Sequence, residues 1–147
     1  MDDFDTSADL DGAAEQIQAV IDDHHSYLAW LGTTVDSVGQ GAITLSIPFD
    51  EKLTNPDSTT VHGGVASTLV DTAGGLALRT ELDDPIAGGV ATVSLTVNYL
   101  RPATDDLTAS ADVIRAGKTI GVSEVDVECD GRLVATGQAS YRLFRVD

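Results

Sequence analysis

Residues 61–78 read VHGGVASTLVDTAGGLAL, a run in which Asp71 is the one acid and neither Lys nor Arg occurs. His62-Gly63-Gly64 has the form of a helix entrance, where the first backbone N–H groups have no intrahelical partners and the glycines let a ligand come close to them. Such an end attracts negative charge. At about 100° per residue, Val65, Leu69, Ala73 and Leu76 fall on one stripe, the spacing of a helix face packed on a core.

Asp71 points away from that stripe. Its helical neighbours at three and four positions are Ser67, Thr68, Gly74 and Gly75, so the carboxylate is surrounded by small side chains or none. A mid-helix glycine costs roughly 1 kcal/mol relative to alanine, so the Gly74-Gly75 pair implies that something approaches closely there. The competing reading is an ordinary exposed acid in a chain with 24 Asp and Glu. The uncharged, glycine-flanked setting of Asp71 favours a functional role.

Asn55, then VHGGVASTLVDTA at 61–73 and TVSLTVNYLRPA at 92–103, resemble the hotdog-fold acyl-CoA thioesterases of the phenylacetate-degradation, 4-hydroxybenzoyl-CoA thioesterase-like type. The likeness spans about residues 35–144, with the His-Gly-Gly, the later Asp and the Tyr-Leu-Arg-Pro-Ala segment in the family's order. It implies hydrolysis of a coenzyme A thioester with no metal and no cofactor beyond the coenzyme A of the substrate. It also implies an α+β fold in which an antiparallel sheet of six strands wraps a central helix.

The 147 residues, 42% of them hydrophobic, suffice for one domain with its own core, expected over residues 12–147. Residues 1–11 carry five acids and read as a frayed, solvated lead-in. They lack a basic region followed by an apolar run, so a signal peptide is not expected, and no apolar segment has the length of a membrane span. A single cysteine, Cys129, excludes an internal disulfide and suits a reducing compartment as a buried thiol. The expected location is cytoplasmic. The formal charge of −16 opposes association with nucleic acid or an anionic membrane. A halophilic source explains such a surface, since high salt screens its self-repulsion; a general solubilising bias is the alternative.

The pattern Ile17, Val20, Ile21, His24, Tyr27/Leu28, Leu31 predicts one N-terminal amphipathic helix over residues 13–31, closed by Gly32 and lying against the sheet or a partner. His24, His25, Asp22 and Asp23 spread around such a helix and do not converge on a metal ion. Tyr27 and Trp30 either line the mouth of an acyl pocket or pack the helix down. Residues 33–38 and 42–48 alternate around Gly39-Gln40-Gly41 as a hairpin, followed by a polar loop at 50–60. After the central helix, strands are expected at 87–100, 107–115, 119–129 and 132–144, the last two joined by an Asp130-Gly131 turn.

Thioester hydrolysis needs a donor for the carbonyl oxyanion, a base or nucleophile, and a hold on coenzyme A. The Gly63 N–H is the candidate donor, with Gly64 beside it against substrate, and Asp71 is the base for water or the nucleophile. His62, at the positive end of a helix, is better suited to orienting the loop by a hydrogen bond than to taking protons. Asn55 is a turn former in Asn55-Pro56, or, as the resemblance implies, a residue that positions the carbonyl or water. Thr92 is a β-branched strand residue, or the hydroxyl with which related enzymes hold the water. Arg101, Arg115 and Lys118 fall in one strand-turn-strand region and are assigned to the phosphates of coenzyme A, with surface pairing as the alternative.

Gly63 and Asp71 are eight residues apart, about 12 Å along one helix, too far to serve one carbonyl. Two chains with antiparallel central helices would bring Gly63 of one beside Asp71 of the other. The expected assembly is therefore a homodimer with shared sites, standing alone or paired as a dimer of dimers into a homotetramer.

Overall fold

In the computed structural model, which describes residues 6–85 and 87–146, six strands form one antiparallel sheet with a long helix across one face. The elements are α1 (Thr6–His24), α2 (Ser26–Leu31), β1 (Thr34–Gly39), β2 (Ala42–Ile47), α3 (Gly63–Arg79), β3 (Gly89–Tyr99), β4 (Leu107–Ala116), β5 (Ile120–Cys129) and β6 (Arg132–Phe144). The sheet order is β1-β2-β4-β5-β6-β3, so the chain leaves β2, passes through α3, and returns to build the far half of the sheet. This is the hotdog arrangement expected from the resemblance. Strand β3 is an edge among the described residues, pairing only with β6.

Alternation decides which strand face meets α3. In β5, Val125, Val127 and Cys129 are buried under the helix while Glu124, Asp126 and Glu128 are exposed. The helix is enclosed on a wider arc than its sequence stripe suggests. Val65, Ala66, Leu69, Val70, Ala73, Ala77 and Leu78 are buried, whereas Leu76 is only partly so. Each fully buried leucine here contributes about 1.5–3 kcal/mol by leaving water. Cys129 is a buried free thiol, as expected.

The close approach expected at the Gly74-Gly75 pair comes from within the chain. Both glycines are buried and face β6 and β5: a methyl group at Gly74 would overlap Tyr141 Oη, and one at Gly75 would stand 3.2 Å from Tyr141 Cε1. The close approach is made by the protein's own Tyr141. Its hydroxyl donates to the Asp71 carbonyl oxygen at 2.6 Å, and Ser123 Oγ donates to the Gly74 carbonyl oxygen at 2.9 Å. Burial, with the Asp71 charge adding to it, pushes the Tyr141 phenol up and outweighs its hydrogen bond with the Gly75 backbone. The phenol therefore stays protonated and remains a donor.

Gly74→Ala should accordingly destabilise despite the better helix propensity of alanine. Overpacking of about 1–3 kcal/mol and a disturbed buried hydrogen bond outweigh a gain of about 1 kcal/mol. Thermal melting should show the loss, and adding Tyr141→Phe, which removes the overlapping oxygen, should make the double variant less destabilised than the sum of the singles.

The N-terminal helix is two helices, not one. His25 leaves helical geometry at φ −125°, ψ 82° and caps α2, its Nδ1 accepting from the Leu28 N–H at 3.4 Å. Gly32 ends α2 in the left-handed conformation, as its position predicts. Ile17, Ile21, Leu28 and Leu31 are buried, and α1 lies against β1. Part of the lead-in assigned to residues 1–11 lies outside the described residues; from Thr6 the backbone is helical.

Candidate active site

The entrance of α3 is held by backbone bonds on both sides. Val61 N–H donates to Ala103 O at 2.8 Å and His62 N–H to Leu53 O at 2.8 Å. His62 is the N-cap, and its Nδ1 accepts from the Gly64 N–H at 2.8 Å, the orienting role expected of it. The same bond occupies the Gly64 N–H, and a Cβ at Gly64 would stand 2.8 Å from His62 Nδ1. Gly64 thus makes room for the cap, and its N–H is not open to a ligand.

Gly63 differs. Among the described residues its N–H has no acceptor, and the Tyr99 ring lies against its Cα side, 3.1 Å from where a Cβ would be. Tyr99 Oη is hydrogen-bonded with Ser67 Oγ, whose own proton goes to Gly63 O at 3.1 Å. A cleft of about 370 Å³ beside this helix end is lined by Asn55, His62, Gly63, Tyr99 and Arg101 among others. Asn55 is tied into its loop through its N–H, which donates to Thr60 O at 2.9 Å. Arg101 Nη1 donates to Leu133 O at 2.7 Å.

Asp71 lies two turns along α3, half-buried, with Oδ1 accepting from Thr92 Oγ1 at 2.6 Å. Thr92 on β3 therefore meets the carboxylate directly. With one oxygen held by a neutral hydroxyl, the other is left to take a proton or attack. The carboxylate lines two neighbouring clefts, one with Tyr27, Thr68, Thr72 and Leu95, the other with Thr92, Val90, Arg79 and Tyr141. His25 lines both. Neither shares a lining residue with the Gly63 cleft.

The cations expected to act together are separated. Arg101 follows β3 at the end of the sheet where β4 begins and β5 ends, because Tyr99 pairs with Ala135 and Leu107 with Cys129. Arg115, near the end of β4, and Lys118, just past the strand, lie at its other end, where Ala116 pairs with Gly121. Ten strand residues put about 30 Å between these ends. Lys118 is bonded through its carbonyl to Arg145 Nε at 3.1 Å. Among the described residues, no group of three or more His, Cys, Asp or Glu is placed to hold a metal ion.

Three residues at the site escaped the sequence reading of roles. Tyr141 sits in an ordinary strand alternation, and only the otherwise unexplained glycines of α3 signalled a large partner. Tyr99 lies within YLRPA, where nothing in the sequence marks its ring as the partner of Gly63. His25, beside His24, Asp22 and Asp23, suggests in the sequence no more than a metal ligand.

Residues 59–136, which include α3, Asp71, Thr92 and Tyr99, match the model of the thioesterase superfamily. The chain belongs to this superfamily. A Halobacterium salinarum protein carrying the provisional name of an esterase is 48% identical over 97% of this chain and 99% of its own. Human acyl-coenzyme A thioesterase 13 is 33% identical over 75% of this chain and 79% of its own. Among solved structures, a thioesterase from Haemophilus influenzae superposes with a TM-score of 0.81 at 25% identity, covering 90% of each chain. As a member of the thioesterase superfamily, the chain is assigned to thioester hydrolysis in general. No helix among the described residues is long and apolar enough to cross a membrane.

Proposed function

We propose that the protein hydrolyses an acyl-CoA thioester to the free acid and coenzyme A, at sites shared between two chains. The reading rests on one observation: the two groups the reaction needs, the Gly63 N–H and the Asp71 carboxylate, line separate clefts of one chain. An antiparallel second copy supplies each cleft with what it lacks. The Gly63 N–H of one protomer holds the carbonyl oxygen while Asp71 of its partner takes a proton from water. The hydroxide attacks the carbonyl carbon, the C–S bond breaks as the intermediate collapses, and the proton returns from Asp71 to the coenzyme A thiolate. Alternatively Asp71 attacks the carbonyl itself, the C–S bond breaks to expel the coenzyme A thiolate, and water cleaves the resulting anhydride to the free acid and the Asp71 carboxylate, the released proton going to the thiolate. Asn55 and Thr92 orient the reacting groups, and Arg101, beside the Gly63 cleft, is the best placed cation for a phosphate.

Strand β3 supports the pairing. From Gly89 to Tyr99 it carries no charged residue, and Val93, Leu95 and Tyr99 are exposed on it, with Leu100 exposed just past its end. A long, uncharged edge of this kind is a template for another strand, here the β3 of a second copy. Two such dimers are proposed to pair into a tetramer. The motif order around His62, Asp71 and Tyr99 supports the phenylacetate-degradation subtype. The −16 charge and the Halobacterium relative support a halophilic, cytoplasmic protein.

The testing experiment follows free-thiol release from a panel of aromatic and aliphatic acyl-CoAs, in dilute buffer and in molar potassium chloride. Hydration of an enoyl-CoA is followed in parallel, because His25 shares the Asp71 cleft and an Asp–His pair is what a hydratase would use. Thiol release with no hydration, higher in molar salt, is expected. Binding without either reaction would identify a non-catalytic acyl-CoA-binding protein.

A further inference from the structure

Beside Asp71 a cleft of about 350 Å³ is walled by the N-terminal region: Tyr27 and Leu28 come from α2, Thr68, Asp71 and Thr72 from α3, and Leu95 from β3. No Lys or Arg lines it, so it is unsuited to phosphates. Tyr27 is 52% exposed, yet its hydroxyl is bound to Thr68 Oγ1 at 2.7 Å. The single Thr68 hydroxyl proton goes to Gly64 O at 2.8 Å, one turn back on the helix. Tyr27 must therefore donate. An exposed ring with its tip fixed acts as a wall. Its backbone does not depend on that hydroxyl, since α2 is anchored by buried Leu28 and Leu31 and ended at Gly32. Thr68 stands three residues before Asp71, about 4.5 Å along the axis, so the ring is pinned within one turn of the carboxylate.

We propose that Tyr27 determines acyl specificity: pinned to Thr68, it closes the cleft beside Asp71, so that compact acyl groups fit and long unbranched chains do not. This rests on Asp71 being the carboxylate that meets the thioester. The apolar part of the lining, Leu28, Leu95 and the Tyr27 ring, is small beside the polar His25, Ser67, Thr68 and Thr72, which suits a compact acyl group rather than a long hydrocarbon chain. The position of Asp71 at its rim joins the cleft to the reacting carbonyl.

The test uses non-hydrolysable acyl-CoA thioethers from butyl to hexadecyl, with affinities measured calorimetrically for the wild type, Tyr27→Phe and Tyr27→Ala. Wild type should bind butyl more tightly than hexadecyl. Tyr27→Ala should raise the hexadecyl-to-butyl affinity ratio by at least about tenfold, the scale of methylene discrimination in apolar pockets. Tyr27→Phe, which frees the ring and keeps its bulk, should shift the ratio in the same direction by less. If Tyr27 only packs α2 down, both variants change all lengths by a common factor and the ratio stays put, which overturns the proposal. Wild-type preference for hexadecyl, or no binding of any analogue, also overturns it. If the ratio shifts as expected while the wild type releases no thiol from the corresponding thioesters, the hydrolase reading fails and the role of Tyr27 stands.

Discussion

Asp71→Asn lowers acyl-CoA turnover by at least about 10²-fold, the loss typical of removing an acid–base group, while the melting temperature stays close to that of the wild type. Asparagine is nearly isosteric, and its amide oxygen can still accept the Thr92 hydroxyl that now reaches Oδ1 at 2.6 Å. The Tyr141 bond is to the backbone of residue 71 and is untouched by the change. What disappears is the second oxygen's ability to take a proton or attack. Folding and chemistry are therefore separable at this position, and steady-state kinetics beside a melting curve read both. Near-normal turnover in a well-folded variant removes Asp71 from the mechanism.

Mixing two inactive variants restores activity if each site draws on two chains. One chain carries Asp71→Ala and the other Gly63→Pro, which deletes the donor N–H while suiting the first position of a helix. Each homodimer lacks one group at both sites. A heterodimer has one site with both wild-type groups and one with neither, so co-refolded mixtures should recover up to half the wild-type rate per heterodimer. The Tyr99 ring lies where a side chain at Gly63 would go, so Gly63→Ala, which keeps the N–H, is the steric control. It should retain more activity than Gly63→Pro. Tagged co-purification shows whether mixed dimers form; if they do and no activity returns, the shared site or the Gly63 donor is wrong.

Much of the architecture was legible because it follows from periods the sequence carries openly. The uncharged run with one acid became α3, and the Val- and Thr-rich alternations became the strands of a six-stranded sheet, within a residue or two. What the sequence did not disclose depends on contacts between distant segments. Gly74 and Gly75 announced a close approach, but not that Tyr141, some seventy residues on, makes it. Arg101 and Arg115 are near neighbours in the chain, yet a straight strand carries them to opposite ends of the sheet. The break between α1 and α2 depends on His25 capping through its imidazole, a weaker signal than the apolar period running across it. Thr92 and Asp71 could be paired only once β3 was known to lie beside the helix.

The open edge of β3 has a kinetic consequence as well. In the proposed pairing, a newly made chain shows its eleven uncharged strand residues until it meets another copy, so mass action ties its lifetime as a monomer to its own abundance. Two chains at −16 each also sum to −32, so this encounter is slowed by long-range repulsion in dilute electrolyte. At about 1 M salt, where the Debye length is about 3 Å, that repulsion is confined to near contact. Salt concentration thus becomes a clock for assembly, setting how long a sticky edge stays unpartnered in the cell.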